Sequence, residues 1–81
     1  MKSPTILHPI EQFSVDAVTE LRKKNKITQQ RLSEIIGTTP AFIGNVENKK
    51  NLAKYNLSHL NVIADFFNVS PQEFLPQFAL K

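Results

Sequence analysis

From Phe13 onward, apolar residues recur at three- and four-residue steps, and polar residues fill the gaps. Phe13, Ala17, Val18 and Leu21 with Asp16, Glu20 and Arg22 between them predict an amphipathic helix from about Ile10 to Lys24, with Pro9 at its first position. The pair Asn25-Lys26 ends it. Thr28 suits the N-cap of a second helix whose apolar face is Leu32, Ile35 and Ile36, with Ile27 as a staple outside it. Gly37 fits a left-handed stop. Thr39 then caps a third helix, Pro40 takes its first position, and Phe42, Ile43 and Val46 form its buried side. A loop rich in Asn and Lys runs from Asn48 to Asn56. Asn56 caps a fourth helix with a core stripe of Leu57, Leu60, Ile63, Ala64 and Phe67. Ser70-Pro71-Gln72-Glu73 reads as a capping box, so a short fifth helix is expected, burying Phe74 and Leu75 and stopping before Pro76. No stretch alternates in the manner of a strand, and there is no internal repeat. The expected division is an arm over residues 1–8, a helical domain over 9–76 and a tail over 77–81.

The segment Thr28 to Lys50 organises the rest. Ser33 lies four positions before Gly37, and Ile43 and Val46 follow at a helical interval. This spacing describes two short helices that cross closely, with a small residue at the contact and a turn that accepts positive φ.

Charge adds direction to this picture. The net charge is +3, but between Arg22 and Lys54 eight basic residues face two acidic ones, which leaves that segment at +6 and the remainder at −3. Such a basic middle predicts a side that faces a polyanion. The 81 residues contain no Cys and two His, His8 and His59, so disulfides, thiolate sites and a metal centre are not expected. No apolar run reaches membrane-spanning length and the first residues lack the form of a signal peptide, which predicts a cytoplasmic protein. No glycine-rich phosphate loop, HExxH motif or paired carboxylate supports catalysis. His59 is expected on the surface of the fourth helix. Neither an enzyme nor a cofactor is expected.

The stretches LRKKNKITQQRLSEIIGTTPAFIGNVENKK and LSHLNVIADFFNVSPQEFLP together resemble the Xre/Cro/phage-repressor (lambda-repressor-like) helix-turn-helix family, from about Phe13 to Pro76. The resemblance implies an all-α, compact five-helix DNA-binding domain with its helix-turn-helix at the second and third helices. It implies that Gln29 clamps a phosphate at the start of the second helix, where the helix N-terminus favours an anion. It implies that Asn48 and Lys50 grip the sugar-phosphate backbone, and that Arg22 and Glu47 form a partly buried ion pair that braces the third helix and orients Arg22 toward the backbone. Lys49 stands where the family often has Gly and is a further candidate phosphate contact. Thr38 joins the backbone set. The positions open to the major groove are Thr39, Pro40, Ala41, Gly44 and Asn45. Of these Asn45 is the best base reader, since its amide both donates to and accepts from adenine. Pro40 and Ala41 offer only apolar contact.

In the loop, Lys54 is a candidate backbone contact, and Tyr55 either bonds a phosphate or packs the loop onto the domain. Val62, Phe66, Phe78 and Leu80 exceed what the core needs and predict a homodimer interface. The expected function is a DNA-binding transcriptional regulator, a repressor that sets its third helix (about 39–48) in the major groove of double-stranded DNA. The alternative is an antitoxin or adaptor whose main partner is a protein such as a toxin.

Overall fold

The computed structural model describes residues 6–81. It contains four α-helices: α1 (Pro9–Lys24), α2 (Gln29–Ile36), α3 (Pro40–Glu47) and α4 (Leu57–Phe67). A single 3₁₀ turn, Pro71–Phe74, follows. Among the described residues there is no strand. The expected fifth helix is therefore one tight turn. Ser70 does not form the capping box either: its hydroxyl accepts from the Gln72 N–H at 3.2 Å, one residue short of Glu73. Phe74 is buried there, but Leu75 faces solvent. The Pro71 and Pro76 pair leaves too short a run for α-helical hydrogen bonding. Of the expected arm, residues 1–5 lie outside the described residues.

The caps fall where turn chemistry puts them. Thr28 accepts from the Arg31 N–H at 3.0 Å, Thr39 from Phe42 at 3.2 Å, and Asn56 from His59 at 2.7 Å. Gly37 ends α2 in the left-handed region at φ 74°, and the next N–H, that of Thr38, bonds the Ser33 carbonyl at 2.8 Å. Both histidines serve as caps. His8 Nδ1 accepts from the Ile10 N–H and His59 Nδ1 from the Asn56 N–H, each at 3.2 Å. His59 is accordingly half-buried, edge-on to Phe42 and Tyr55, rather than a surface residue.

The core is built from Val15 and Val18 of α1, Leu32 of α2, Ile43 and Val46 of α3, Tyr55, Leu60, Ile63 and Ala64 of α4 and its preceding loop, and Phe74. Besides Leu75, three expected apolar positions lie outside it, Ile35, Leu57 and Phe13. Leu57 is 78% exposed because it sits at the first position of α4, ahead of the turn that meets the domain. Phe13 is also exposed. The inward face of α1 runs through Ser14, Val15, Val18 and Arg22, one step round the helix from the Phe13–Ala17–Leu21 row. Val18 of the expected stripe is in the core and Ala17 and Leu21 pack against it; apolar spacing leaves out the two polar residues of the inward face, Ser14 and Arg22. Ser14 satisfies its hydroxyl within the helix, donating to the Glu11 carbonyl at 2.9 Å. Arg22 finds its partners across the domain.

Candidate nucleic-acid interface

α2 packs chiefly against α3, and Ser33 of α2 is fully buried. Its hydroxyl donates back to the Gln30 carbonyl at 2.6 Å, so Ser33 itself is buried with its oxygen paired. With Phe42, Ile43 and Val46 turned inward, α3 presents Thr39, Pro40, Ala41 and Asn45 to solvent on its other side. Gly44 is half-buried between them. A Cβ there would lie 3.7 Å from Gln29 Oε1, an ordinary van der Waals distance. Gln29, the first residue of α2, therefore lies alongside the middle of α3.

One guanidinium joins three parts of the chain. Arg22 donates from Nε to Glu47 Oε2 at 2.7 Å and from Nη2 to Glu47 Oε1 at 2.8 Å. Its Nη1 donates to the Ile27 carbonyl at 2.7 Å, in the α1–α2 loop. The pair is bidentate, and the two side chains are only 10% and 9% exposed. Gln29 Nε2 donates to Glu47 Oε1 at 2.9 Å, so the same carboxylate also holds the start of α2. Burial pushes the Glu47 carboxyl up, but the hydrogen bonds from Arg22 and Gln29 and the charges of Arg22 and Lys23 outweigh it and hold the carboxyl below its ordinary value. Arg22 thus acts as an internal brace, with little of its surface left to turn toward a phosphate.

α3 is followed by a tight turn. The Asn51 N–H bonds the Asn48 carbonyl at 2.9 Å, and the Asn48 side chain accepts from the Lys50 N–H at 3.0 Å. Among the described residues only Lys26 and Asn68 are non-glycine residues with positive φ, so Lys49 needs no glycine-like backbone in this turn. Asn48, Lys49 and Lys50 are all exposed. Lys54 is committed elsewhere: its ammonium pairs with Glu11 Oε2 at 2.7 Å, and that hydrogen bond holds the Glu11 carboxyl below its ordinary value.

Two hydroxyls do not face a partner. The Thr38 hydroxyl, expected at the backbone contact, is buried and unbonded, because the turn after Gly37 folds it inward. The Tyr55 hydroxyl is likewise buried and unbonded, and its ring stands edge-on to Phe42 at 6.1 Å between centroids. Tyr55 is the packing residue of the two alternatives. Burial, followed by the charge of Glu47, drives its pKa well above the ordinary tyrosine value. Val62, Phe66, Phe78 and Leu80 are all solvent-exposed. The Arg31 guanidinium lies over the Phe66 ring at 5.6 Å.

The Gln29–Glu47 bond, the Ile27 carbonyl as a partner of Arg22 and the inward turn of Thr38 are additions that sequence reasoning does not supply.

A helix-turn-helix family model matches residues 18–74. No curated protein matches the chain. Among solved structures, cobalt(II) HppE in complex with substrate resembles it with a TM-score of 0.67 at 21% identity, covering 83% of this chain and 36% of that one. Iron(II) HppE in complex with substrate gives a TM-score of 0.66 at 21% identity, covering 82% and 36%. The chain thus spans little more than a third of those proteins, and the likeness is one of fold. The family match covers both helices of the crossing, the Arg22–Glu47 brace and the closing turn, and it places this chain in the Xre/lambda-repressor-like helix-turn-helix family of DNA-binding regulatory domains.

Proposed function

We propose that the protein is a transcriptional regulator of the repressor kind, which inserts α3 into the major groove of duplex DNA. The observation that carries this is the geometry around Glu47. One buried carboxylate ties α1, α2 and α3 together, so the exposed face of α3 is held rigidly beside Gln29 and the Asn48–Lys50 turn. A rigid recognition helix flanked by phosphate-binding groups has its register fixed before it meets a base. In this reading Gln29, Asn48, Lys49 and Lys50 contact the backbone, and Arg22 supports them through Glu47. Thr39, Pro40, Ala41, Gly44 and Asn45 face the bases. Asn45 carries the hydrogen-bonded readout, and DNA shape supplies much of the remaining preference, since Pro40 and Ala41 offer no polar atoms to base edges.

The exposed apolar set Val62, Phe66, Phe78 and Leu80 supports association with a second copy, which would set two α3 helices about 34 Å apart on one side of the duplex. The same exposed set also supports the second reading, an antitoxin or adaptor that buries this surface against a protein partner. Phe78, at 76% exposed, is its strongest feature.

Selection of bound sequences from random duplexes tests both. Enriched palindromic sites whose preference relaxes on Asn45→Ala, with affinity falling steeply as salt rises, are expected. Equal, weak binding to every duplex, unchanged in preference by Asn45→Ala, rules out the sequence-reading role. A stoichiometric protein partner co-purifying from the native host then favours the second.

A further inference from the structure

Three of the helices end alike. Each closes with a residue in the left-handed region, followed by an N–H that bonds back to a carbonyl five residues earlier. At α2 the residue is Gly37, φ 74°, with the 2.8 Å bond from Thr38 to Ser33. At α4 it is Asn68, φ 57°, with Val69 bonding Ala64 at 2.9 Å. At α1 it is Lys26, φ 56°, with Ile27 bonding Arg22 at 3.0 Å. Glycine has no Cβ to clash in this conformation and asparagine tolerates it, whereas lysine meets the full steric penalty. Nothing within the domain requires a lysine there. Lys26 is exposed, and among the described residues it makes no ion pair and its ammonium no hydrogen bond.

The position of this loop is informative. The Ile27 carbonyl, next to Lys26, is held by Arg22 Nη1, and the other two donors of that guanidinium hold Glu47 at the end of α3. The α1–α2 loop and the turn carrying Lys49 and Lys50 are therefore anchored on opposite sides of one ion pair. Lys23, whose carbonyl accepts from the Lys26 N–H at 3.1 Å, is close enough to Glu47 for its charge to act on that carboxyl. Lys23 and Lys26 therefore flank the Arg22 end of this pair in the chain, Lys49 and Lys50 follow its Glu47 end, and Gln29 bonds the same carboxylate.

We infer that the α1–α2 loop is a second phosphate-contacting strip of this protein, with Lys26 its principal cation, and that Lys26 occupies a glycine-type backbone position because its charge is used on DNA. The inference rests on the DNA-binding reading above. Strain at a surface position with an unengaged charge calls for a function outside the fold. A phosphate contact here adds affinity on every sequence and carries no base preference.

The test uses Lys26→Gly, Lys26→Arg and the unmodified protein, each titrated with mixed-sequence duplex DNA over a range of salt concentrations, with thermal melts alongside. Lys26→Gly is expected to melt about 4 °C or more higher, because the backbone penalty is relieved. Its plot of log affinity against log salt is expected to be shallower by about 0.9, the value of one lost phosphate contact. Lys26→Arg is expected to keep the slope. A Lys26→Gly protein that melts higher yet keeps the full slope overturns the inference and leaves the DNA-binding reading standing. A Lys26→Gly protein that melts no higher overturns the claim that the charge is held at a backbone cost. An unmodified protein with no salt-dependent binding to any duplex overturns both readings.

Discussion

Replacing Arg22 by Met should cost far more than the loss of a surface charge. The substitution keeps a long apolar stem but deletes three hydrogen bonds, two to Glu47 at 2.7 and 2.8 Å and one to the Ile27 carbonyl at 2.7 Å. Glu47 would keep only the Gln29 amide at 2.9 Å, with its side chain 9% exposed. Breaking a buried pair from one side leaves an uncompensated charge, at a cost of about 3–5 kcal/mol. An exposed pair would lose about 0.2–1 kcal/mol instead. At roughly 0.05–0.15 kcal/mol per residue the whole domain is stable by only about 4–12 kcal/mol, so the change removes a large part of it. The melting temperature should fall by roughly 12–40 °C, at about 4–8 °C per kcal/mol. The diagnostic comparison is with the double variant Arg22→Met/Glu47→Met. Removing both charges also removes the desolvation penalty, so the double variant should be more stable than Arg22→Met alone. Urea denaturation followed by circular dichroism measures the whole cycle, provided the slope m is the same in all four proteins. A cost below about 1 kcal/mol for Arg22→Met, with a double variant no better than the sum of the singles, would show the pair to be no more than a surface contact and refute the brace.

Four further outcomes follow from individual residues. Gly44→Ala should stabilise the fold by about 0.5–1 kcal/mol, since the new Cβ meets Gln29 Oε1 at an unstrained 3.7 Å, while weakening binding to the selected duplex; an unchanged affinity would remove Gly44 from the groove face. Gly37→Ala should instead cost about 1–2 kcal/mol in the same melts although no atom lies within 4 Å, because φ of +74° is itself the obstacle. Tyr55→Phe should be neutral or stabilising by up to about 1 kcal/mol, because it deletes a buried hydroxyl without a partner; a clear loss in urea melts would reveal a bond that the fold does make. In acid, the folded-state pKa of Glu47 lies below its unfolded value of 4.5, so its contribution is complete above that pH and is lost as pH falls through the folded value. Glu47→Gln, though less stable at neutral pH, should therefore show a shallower decline below about pH 4.5 in a pH series of melts, and an unchanged decline would contradict the lowered value.

Much of the fold is legible in the chain because its signals are local. Caps and stops depend on residues two to five apart, which is why Thr28, Gly37, Thr39, Pro40 and Asn56 mark the observed helix ends. The close crossing of α2 and α3 is legible for the same reason, since Ser33, Ile43 and Val46 all lie near one turn. The last element misled because a cap followed by proline is shared by α-helices and 3₁₀ turns, and only the number of residues that fit before Pro76 separates them. The inward face of α1 is legible in Ala17, Val18 and Leu21 but not in its polar members. Periodicity identifies apolar rows, and the row that packs inward carries Ser14 and Arg22.

What the sequence determined by itself is the four α-helices, the turn between α2 and α3, and the exposure of Thr39, Pro40, Ala41 and Asn45 on the α3 face. The tertiary structure alone decided how that face is held. Whether Gln29 reaches Glu47, whether Thr38 turns in or out, and whether Lys54 is free or bound to Glu11 depend on groups that are distant in the chain and meet only after packing. The left-handed backbone of Lys26 belongs to the same class: lysine disfavours it, and the closing bond from Ile27 to Arg22 together with the Arg22 grip on the Ile27 carbonyl imposes it.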